Sequence, residues 1–201
     1  LLGIPWRVAF AMQDDGWILR QDIIWNKPNP MPESVKDRCT KAHEYIFLFS
    51  KSKKYYFDNE AIKEDSVTVN SKGERGKPNS AKNVGKSVEG IDGFDVRGGF
   101  KDMGAYEKRN KRSVWTVATK PFAEAHFATF PPDLIEPCVL AGCPEGGTVL
   151  DPFGGSGTTA EVSNAHARDT VLCELSDDYI KIAVKRLTNM FTNINIIKEN
   201  L

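Results

Sequence analysis

The chain has 201 residues, of which 40% are hydrophobic and 10% aromatic, and its 27 Lys and Arg balance its 27 Asp and Glu, so one domain with a real core is expected. The sequence contains no run of 18 apolar residues, so no membrane span is predicted. The opening segment Leu1–Pro5 does not have the charged residues of a signal peptide. The four cysteines form no CxxC pair, so the sequence predicts reduced thiols in a cytoplasmic protein and neither a disulfide framework nor a metal site.

The zero net charge conceals an uneven distribution along the chain. Residues 1–69 hold 10 basic and 10 acidic side chains, residues 70–112 hold 11 and 6, and residues 113–201 hold 6 and 11. A basic segment beside an acidic one is compatible with a locally cationic face for phosphates.

The first third of the chain predicts a helix followed by strands. Apolar residues have helical spacing over Ile4–Gln13, and the β-branched and aromatic residues of Trp17–Trp25 predict a strand that the prolines of Lys27–Pro30 end. Glu44–Phe49 predicts a second strand, and Lys54–Asp58 predicts its return in an antiparallel hairpin.

Regular structure is interrupted in the middle of the chain. Periodicity disappears over residues 70–112, which hold eight of the 16 glycines and predict a loop or a small appended lobe. Order returns afterwards as a strand at 113–117, a helix opened by prolines at 130–140, a strand at 147–151, a helix at 158–167, a strand at 170–174 and a helix at 178–191.

A glycine-rich turn, DPFGGSGTT at residues 151–159, lies between a predicted strand and a predicted helix. Gly155 and Gly157 permit close approach of the backbone to a ligand, and the helix N-terminus offers unpaired amides. Glu174, at the end of the next strand, is able to accept both hydroxyls of a ribose. The same spacing fits the fingerprint of nicotinamide enzymes, so the pattern alone leaves the nucleotide cofactor open.

The position of this turn favours a swapped order of two halves. The turn and everything after it comprise only the last 51 residues, 151–201, which leaves no room for the second half-sheet of a dinucleotide fold after it. We therefore expect the rest of the sheet to come from residues that precede the turn.

The chain resembles the β-class bacterial and phage DNA methyltransferases, which modify adenine N6 or cytosine N4. The resemblance rests on the string at 151–159, the block Gly3–Pro30, the segment Lys41–Phe49 and the stretch Glu124–Pro137. It implies an α/β, Rossmann-like, S-adenosylmethionine-dependent methyltransferase fold with a mixed sheet. It also implies a permuted order, with a catalytic half at 1–69, a target-recognition insert at 70–112 and a cofactor-binding half at 113–201.

The resemblance also implies roles for individual residues. Asp151 matches the acid that faces the methionine ammonium, Phe153 matches a ring lying against the cofactor, and Glu174 matches the ribose-binding acid. The stretch His126–Pro131 is similar to an HPTQKP-like segment at the methionine end, with Phe130 in place of its lysine. The glycine turn would wrap the cofactor with backbone amides, so the expected cofactor-binding residues are Asp151, Pro152, Phe153, Gly154, Gly155, Ser156, Gly157, Thr158, Glu174, Ala128 and Thr129.

No catalytic residue is assigned within the chain. Relatives bind the target amine with a [D/N/S]-P-P-[Y/F/W] tetrapeptide, whose aromatic ring stacks on the flipped base. The resemblance implies that this motif lies upstream of Leu1, and residues 1–201 contain no copy. Phe130–Asp133 has paired prolines but lacks the acceptor and the aromatic residue, and it predicts a helix start.

The expected function is methyl transfer from S-adenosylmethionine to an exocyclic amino group of a DNA base, with cytosine N4 preferred over adenine N6. The implied partner is double-stranded DNA, a cognate restriction endonuclease is compatible with it, and no membrane partner is expected. Two alternatives remain at this point: an incomplete chain that binds cofactor or DNA without turnover, and a nicotinamide-dependent oxidoreductase.

Overall fold

The computed structural model describes residues 2–66, 108–119, 129–188 and 190. The chain groups into two compact units, of which the first comprises Leu1–Ile62 with Arg112–Leu201 and the second comprises Lys63–Lys111. In chain order the elements are α1 (Ile4–Asp14), β1 (Ile18–Asn26), β2 (His43–Ser50), β3 (Glu64–Asp65), β4 (Lys108–Arg109), β5 (Val114–Thr116), α2 (Pro132–Gly142), β6 (Thr148–Asp151), α3 (Thr158–Ala165), β7 (Asp169–Leu172) and α4 (Asp177–Thr188).

A three-stranded mixed sheet forms the first half of the larger unit. β1 lies in its centre, antiparallel to β2 along its whole length and parallel to β5 over its last three residues. Ile23 and Trp25 alternate with exposed or half-buried neighbours and join the buried Trp115 and Leu134 in the core. The indole of Trp25 donates to the carbonyl oxygen of Val117 at 2.8 Å, which satisfies its polar edge.

Helix α1 covers the aromatic face of β2. Pro5 lies in the first turn of the helix, where its missing N–H costs no hydrogen bond. The ring of Trp6 packs edge-on against Tyr45 and Phe47, with centroids 5.5 and 4.9 Å apart, and Ala9 is fully buried. Edge-to-face packing of this kind stabilises the helix–sheet contact beyond the area that it buries.

The predicted return strand at Lys54–Asp58 is wrong, because the antiparallel partner of β2 is β1. The amide of Asp58 donates to the carbonyl of Ala141 at 3.0 Å, and its carboxylate accepts the amides of Glu60 and Ala61. The backbone of this segment therefore bonds to the end of α2 and to a turn instead of a ladder. Tyr55 lies under the guanidinium of Arg20, 4.6 Å from the ring centroid, outside the sheet.

The second half of the larger unit is a β–α–β arrangement. β6 and β7 are parallel, from Thr148 opposite Asp169 to Asp151 opposite Leu172, and α3 connects them. Pro131 and Pro132 occupy the N-cap and first position of α2, so the paired prolines begin a helix as predicted. The ring of His166, after α3, lies 2.8 Å from the carboxylate of Glu136 on α2 and joins the two helices.

The smaller unit is described only at its two ends. There β3 and β4 pair antiparallel, and Nε of Arg109 donates to the carboxylate of Glu64 at 2.9 Å. Residues 70–107 of the predicted basic insert lie outside the described part of the chain.

The predicted α/β class with a mixed sheet is confirmed, and the three-stranded half precedes the half that carries the glycine turn. The predicted helices and strands outside the return segment also form, with ends that differ by a few residues. Within residues 2–66, 108–119, 129–188 and 190, no helix has the length and apolar character needed to cross a bilayer.

Candidate functional site

The glycine turn begins where β6 ends, at the carboxyl edge of the parallel β6–β7 pair. Ligands of open α/β sheets bind outside the carboxyl ends of the strands, where helix N-termini converge. The turn folds back on itself, since the amide of Gly157 donates to the carbonyl of Gly154 at 2.9 Å. The amide of Gly154 donates to the carbonyl of Cys173 at 2.8 Å, which ties the turn to the end of β7.

Glu174 lies directly at this turn. One carboxylate oxygen accepts the amide of Gly155 at 2.8 Å, and the other accepts the amide of Ser176 at 2.8 Å. Each carboxylate oxygen has two lone pairs, so both retain one for a further donor. The side chain is thereby held in one orientation and still able to accept the two hydroxyls of a ribose.

Asp151 is the last residue of β6 and the first residue of the turn. Its Oδ1 accepts the amide of Phe153 at 2.9 Å, and its Oδ2 accepts the hydroxyl of Thr159 at 2.6 Å. The carboxylate thus connects the strand end to the first turn of α3, with spare acceptor capacity on both oxygens. Thr159 was not among the expected site residues. Its position in the first turn of the helix that follows the glycine turn is the sequence feature that could have indicated it.

Three glycines of the turn are required for different reasons. A Cβ on Gly154 would lie 2.9 Å from Cβ of Leu172, so a side chain at this position would force its neighbours to shift. Gly155 and Gly157 have φ of +52° and +81°, in the left-handed region that disfavours other residues. The space beside Gly155 is otherwise open, since a Cβ there would meet nothing closer than the carbonyl oxygen of Phe153, at 3.8 Å. Gly155 therefore leaves room for a ligand to approach the backbone.

Two large apolar side chains project from the same edge. Phe153 is 85% exposed and follows β6, while Leu175 is 87% exposed and follows β7. Exposed apolar side chains beside fixed polar acceptors are typical of ligand sites. Leu175 was not predicted, although a leucine directly after Glu174, the expected ribose-binding acid, in a polar sequence is a readable signal.

Two residues of the turn, Ser156 and Thr158, face inward. Ser156 and Thr158 are 4% and 5% exposed, so their side chains contact the protein. Nη1 of Arg186 on α4 donates to the carbonyl oxygen of Ser156 at 3.3 Å and to the hydroxyl of Thr158 at 3.1 Å. Arg186 was not predicted, because a basic residue in the last turn of a helix has an ordinary explanation in the helix dipole.

The surroundings of the turn are acidic. Asp151 and Glu174 lie at the turn itself, and Asp177 and Asp178 begin α4 shortly after Glu174 in the sequence. The pKa of Lys181 is raised, chiefly by its hydrogen bond with Asp178 and then by the charge of that carboxylate. Most of this edge therefore favours a cationic or hydroxyl-bearing ligand over an anionic one.

A cavity of about 600 Å³ is lined by residues of α2, of β6 and of the connection between them. Its wall is mainly apolar, with Phe130, Ile135 and Val149 among its lining residues, and Asp151 and Thr159 also line it. The cavity therefore adjoins the glycine turn at Asp151. In the described residues, no three His, Cys, Asp or Glu side chains come together as metal ligands.

The expected site residues are only partly brought together. Asp151, Phe153 and Gly155 converge with Glu174 at the sheet edge, as their hydrogen bonds and exposure indicate. Pro152 is exposed beside them, and the half-buried Thr129 precedes α2. The roles of all these residues in cofactor binding stay predictions. The amides of Gly155 and Gly157, expected to wrap a cofactor, donate within the protein. Ala128 and His126 lie outside the described residues.

The sequence profile of the DNA methylase family matches residues 3–185. The chain is 48% identical over 194 residues to the type II methyltransferase M.Cfr9I of Citrobacter freundii, covering 96% of this chain and 52% of that protein. It is 46% identical over 187 residues to the type II methyltransferase M.SmaI of Serratia marcescens, covering 93% and 52%. The chain therefore belongs to the DNA methylase family, and it spans about half the length of these curated relatives.

Solved structures share the fold at low sequence identity. The PvuII DNA methyltransferase (cytosine-N4-specific) has a TM-score of 0.63 at 18% identity, over 95% of this chain and 58% of that one. M1.HpyAVI has a TM-score of 0.60 at 20% identity, over 95% and 70%. These similarities show the fold, and the assignment of individual residues depends on the geometry of the glycine turn.

Proposed function

We propose that the whole protein is a site-specific DNA methyltransferase that transfers a methyl group from S-adenosylmethionine to an exocyclic amino group of a DNA base. The observation that carries the proposal is the carboxylate of Glu174, which the amides of Gly155 and Ser176 hold at the glycine turn. Membership of the DNA methylase family supports it. The proposal concerns the whole protein, because the chain spans about half of its curated relatives.

The residues at the turn fit S-adenosylmethionine by their chemistry. Glu174 would accept the two ribose hydroxyls with its remaining lone pairs, and Asp151 would accept from the methionine ammonium. Phe153 and Leu175 offer apolar surface to the adenine, and the open space at Gly155 lets the ligand approach the backbone. The acidic edge suits a ligand with a sulfonium and an ammonium group.

The chemistry needs no covalent nucleophile on the protein. When bound, S-adenosylmethionine supplies a sulfonium methyl to the lone pair of the amine nitrogen, which yields a thioether, a methylated amine and one released proton. The work of the protein is to hold the two reactants in line and to exclude water. Residues 1–201 contain no [D/N/S]-P-P-[Y/F/W] tetrapeptide, so we assign cofactor binding to this chain and no amine-binding group.

Double-stranded DNA is the proposed substrate, and residues 70–112 are its proposed recognition region. Their excess of five basic residues favours phosphate contacts, which position a protein on DNA, while base contacts specify the sequence. Cytosine N4 is the first base to test, ahead of adenine N6. A cognate restriction endonuclease is consistent with this proposal, as is a cytoplasmic location in a bacterial or phage-infected cell.

The nicotinamide alternative rested on glycine spacing alone and loses support. The relatives described above are methyltransferases, and the acidic edge is poorly suited to the pyrophosphate of a dinucleotide. The incomplete-chain alternative is part of the proposal: we expect the 201-residue chain to bind the cofactor without methyl transfer.

Radiolabelled methyl transfer tests the proposal directly. The complete protein, with tritiated S-adenosylmethionine and duplex DNA, is expected to label the DNA, and mass spectrometry of the digested nucleosides identifies the base. N4-methylcytosine is the expected product. A complete protein that binds the cofactor and labels no DNA would overturn the proposed function, and transfer by residues 1–201 alone would refute the binding-only assignment.

A further inference from the structure

Arg186 on α4 contacts the glycine turn at Ser156 and Thr158, two buried polar residues of the turn. We infer that Arg186 is a positioning residue, which fixes the shape in which the turn receives its ligand without touching the ligand itself. The inference deepens the proposed function and rests on it, since the ligand in question is S-adenosylmethionine.

The guanidinium of Arg186 is almost buried and forms polar contacts through both of its terminal nitrogens. Its side chain is 14% exposed, and Nη1 reaches the carbonyl oxygen of Ser156 at 3.3 Å, the hydroxyl of Ser156 at 3.4 Å and the hydroxyl of Thr158 at 3.1 Å. Nη2 forms an ion pair with Glu161 in the first turn of α3. One side chain thus joins α4, the glycine turn and the start of α3.

The contact with Ser156 fixes one peptide plane of the turn. In a trans peptide the carbonyl and the following N–H point in opposite directions. The carbonyl of Ser156 points to Arg186, and the N–H of the same peptide, on Gly157, donates to the carbonyl of Gly154 at 2.9 Å. Both ends of this peptide are therefore held, and Gly155 is left on the open side with its amide on Glu174.

The same face of α4 also packs on the turn. A Cβ on Gly157 would lie 3.3 Å from Cβ of Ala183 and 3.4 Å from Cδ1 of Leu187, so the turn is seated tightly on the helix. Ala183, Arg186 and Leu187 share one helical face by their spacing. The apolar pair sets how close the turn lies to α4, and the guanidinium sets its orientation.

A lysine would not replace Arg186. The guanidinium is a planar fork with donors in fixed directions, while an ammonium is a single point charge on a flexible stem. Lysine could keep the pairing with Glu161 or the contacts with Ser156 and Thr158, but it would not span all of them. The conservative substitution therefore separates charge from geometry.

The test compares Arg186→Lys and Thr158→Val with the control Lys185→Met, which removes an exposed charge from the same helix. Hydrogen exchange of the amides at residues 155–158 is measured in the complete protein without ligand, together with the affinity for S-adenosylmethionine by calorimetry. Exchange of the amides of β1 and β2 serves as the internal reference for global stability.

Arg186→Lys is expected to speed exchange at residues 155–158 and to weaken cofactor affinity, each by about tenfold, with Thr158→Val changing both in the same direction. Lys185→Met is expected to change neither, and β1 and β2 should exchange at unchanged rates. Unchanged exchange at the turn in Arg186→Lys would overturn the inference whether or not the cofactor binds. Failure of the unsubstituted protein to bind S-adenosylmethionine would instead refute the proposed function.

Discussion

The carboxylate of Glu174 accepts a hydrogen bond from the backbone amide of Gly155 at 2.8 Å. This bond joins the end of β7 to the turn after β6, so the two parts of the candidate site are held together before any ligand binds. A carboxylate fixed in this way loses little further side-chain entropy when it accepts a diol. The same bond makes Glu174 and the glycine turn one connected structural unit.

Replacing Glu174 with Gln is expected to weaken S-adenosylmethionine binding by about tenfold or more. One carboxylate oxygen becomes an amide nitrogen, which cannot accept from the Gly155 amide or from a ribose hydroxyl. Isothermal titration calorimetry measures the change. Asp178→Asn is the matched control, because Asp178 is a highly exposed acid at the start of α4. Equal weakening in both variants would indicate a general charge effect.

Alanine substitutions should separate Gly154 from Gly155. Gly154→Ala places a Cβ 2.9 Å from Leu172, so we expect a loss of folding stability from overpacking of about 1–3 kcal/mol. Gly155→Ala meets no atom closer than 3.8 Å and should cost about 1–2 kcal/mol through its positive φ. Urea unfolding measures both. At temperatures where both variants are folded, Gly155→Ala should also lower cofactor affinity, and an unaltered affinity would show that the ligand does not approach this residue.

Replacing Phe153 with Ala is expected to lower cofactor affinity and leave stability nearly unchanged. The side chain is 85% exposed, so its removal costs little buried area in the free protein. Burial against a ligand would make the same ring worth about 1–3 kcal/mol in binding. Val8→Ala on α1, at a residue 53% exposed, is the control for loss of exposed apolar surface. If Phe153→Ala bound the cofactor as tightly as the parent protein, the ring would lie outside the site.

Removing charges from the basic segment should weaken DNA binding in a salt-dependent way. With Lys72, Arg75 and Lys77 all changed to Ala, the slope of log affinity against log salt should become shallower by up to about 2.7, if all three contact phosphate. Fluorescence anisotropy of the complete protein with labelled duplex DNA measures this slope. The control changes Lys51, Lys53 and Lys54, which are exposed lysines outside the segment. An identical slope in the parent and the first variant would exclude phosphate contacts there.

Much of the fold could be predicted because local chemistry determined it. Pro131 and Pro132 suit the start of a helix, where no backbone N–H is needed, and the β-branched and aromatic run of β1 had no competing helical pattern. The failed prediction concerned Lys54–Asp58. A strand-like composition does not determine which strand a segment pairs with. Here β2 pairs with β1, and the connection between them includes the loop at Lys27–Pro30.

The site was predictable where the residues adjoin the turn in sequence and less so elsewhere. Asp151 ends β6 and Glu174 lies two residues after the end of the parallel strand β7, and that topology brings them to one edge. Arg186 was missed because it is 30 residues from Ser156, and only the packing of α4 on the turn brings the two together. Leu175 was missed because a single leucine is usually assigned to the core, whereas here it is 87% exposed.

The central claim is that the turn after β6, with Glu174, binds S-adenosylmethionine. Isothermal titration calorimetry of residues 1–201 with S-adenosylmethionine, and in parallel with NAD, tests it most directly, with circular dichroism to verify that the chain is folded. We expect one S-adenosylmethionine per chain, weaker binding in Glu174→Gln and no heat of binding with NAD. A folded chain that binds NAD but not S-adenosylmethionine, or that binds S-adenosylmethionine equally well after Glu174→Gln, would contradict the claim.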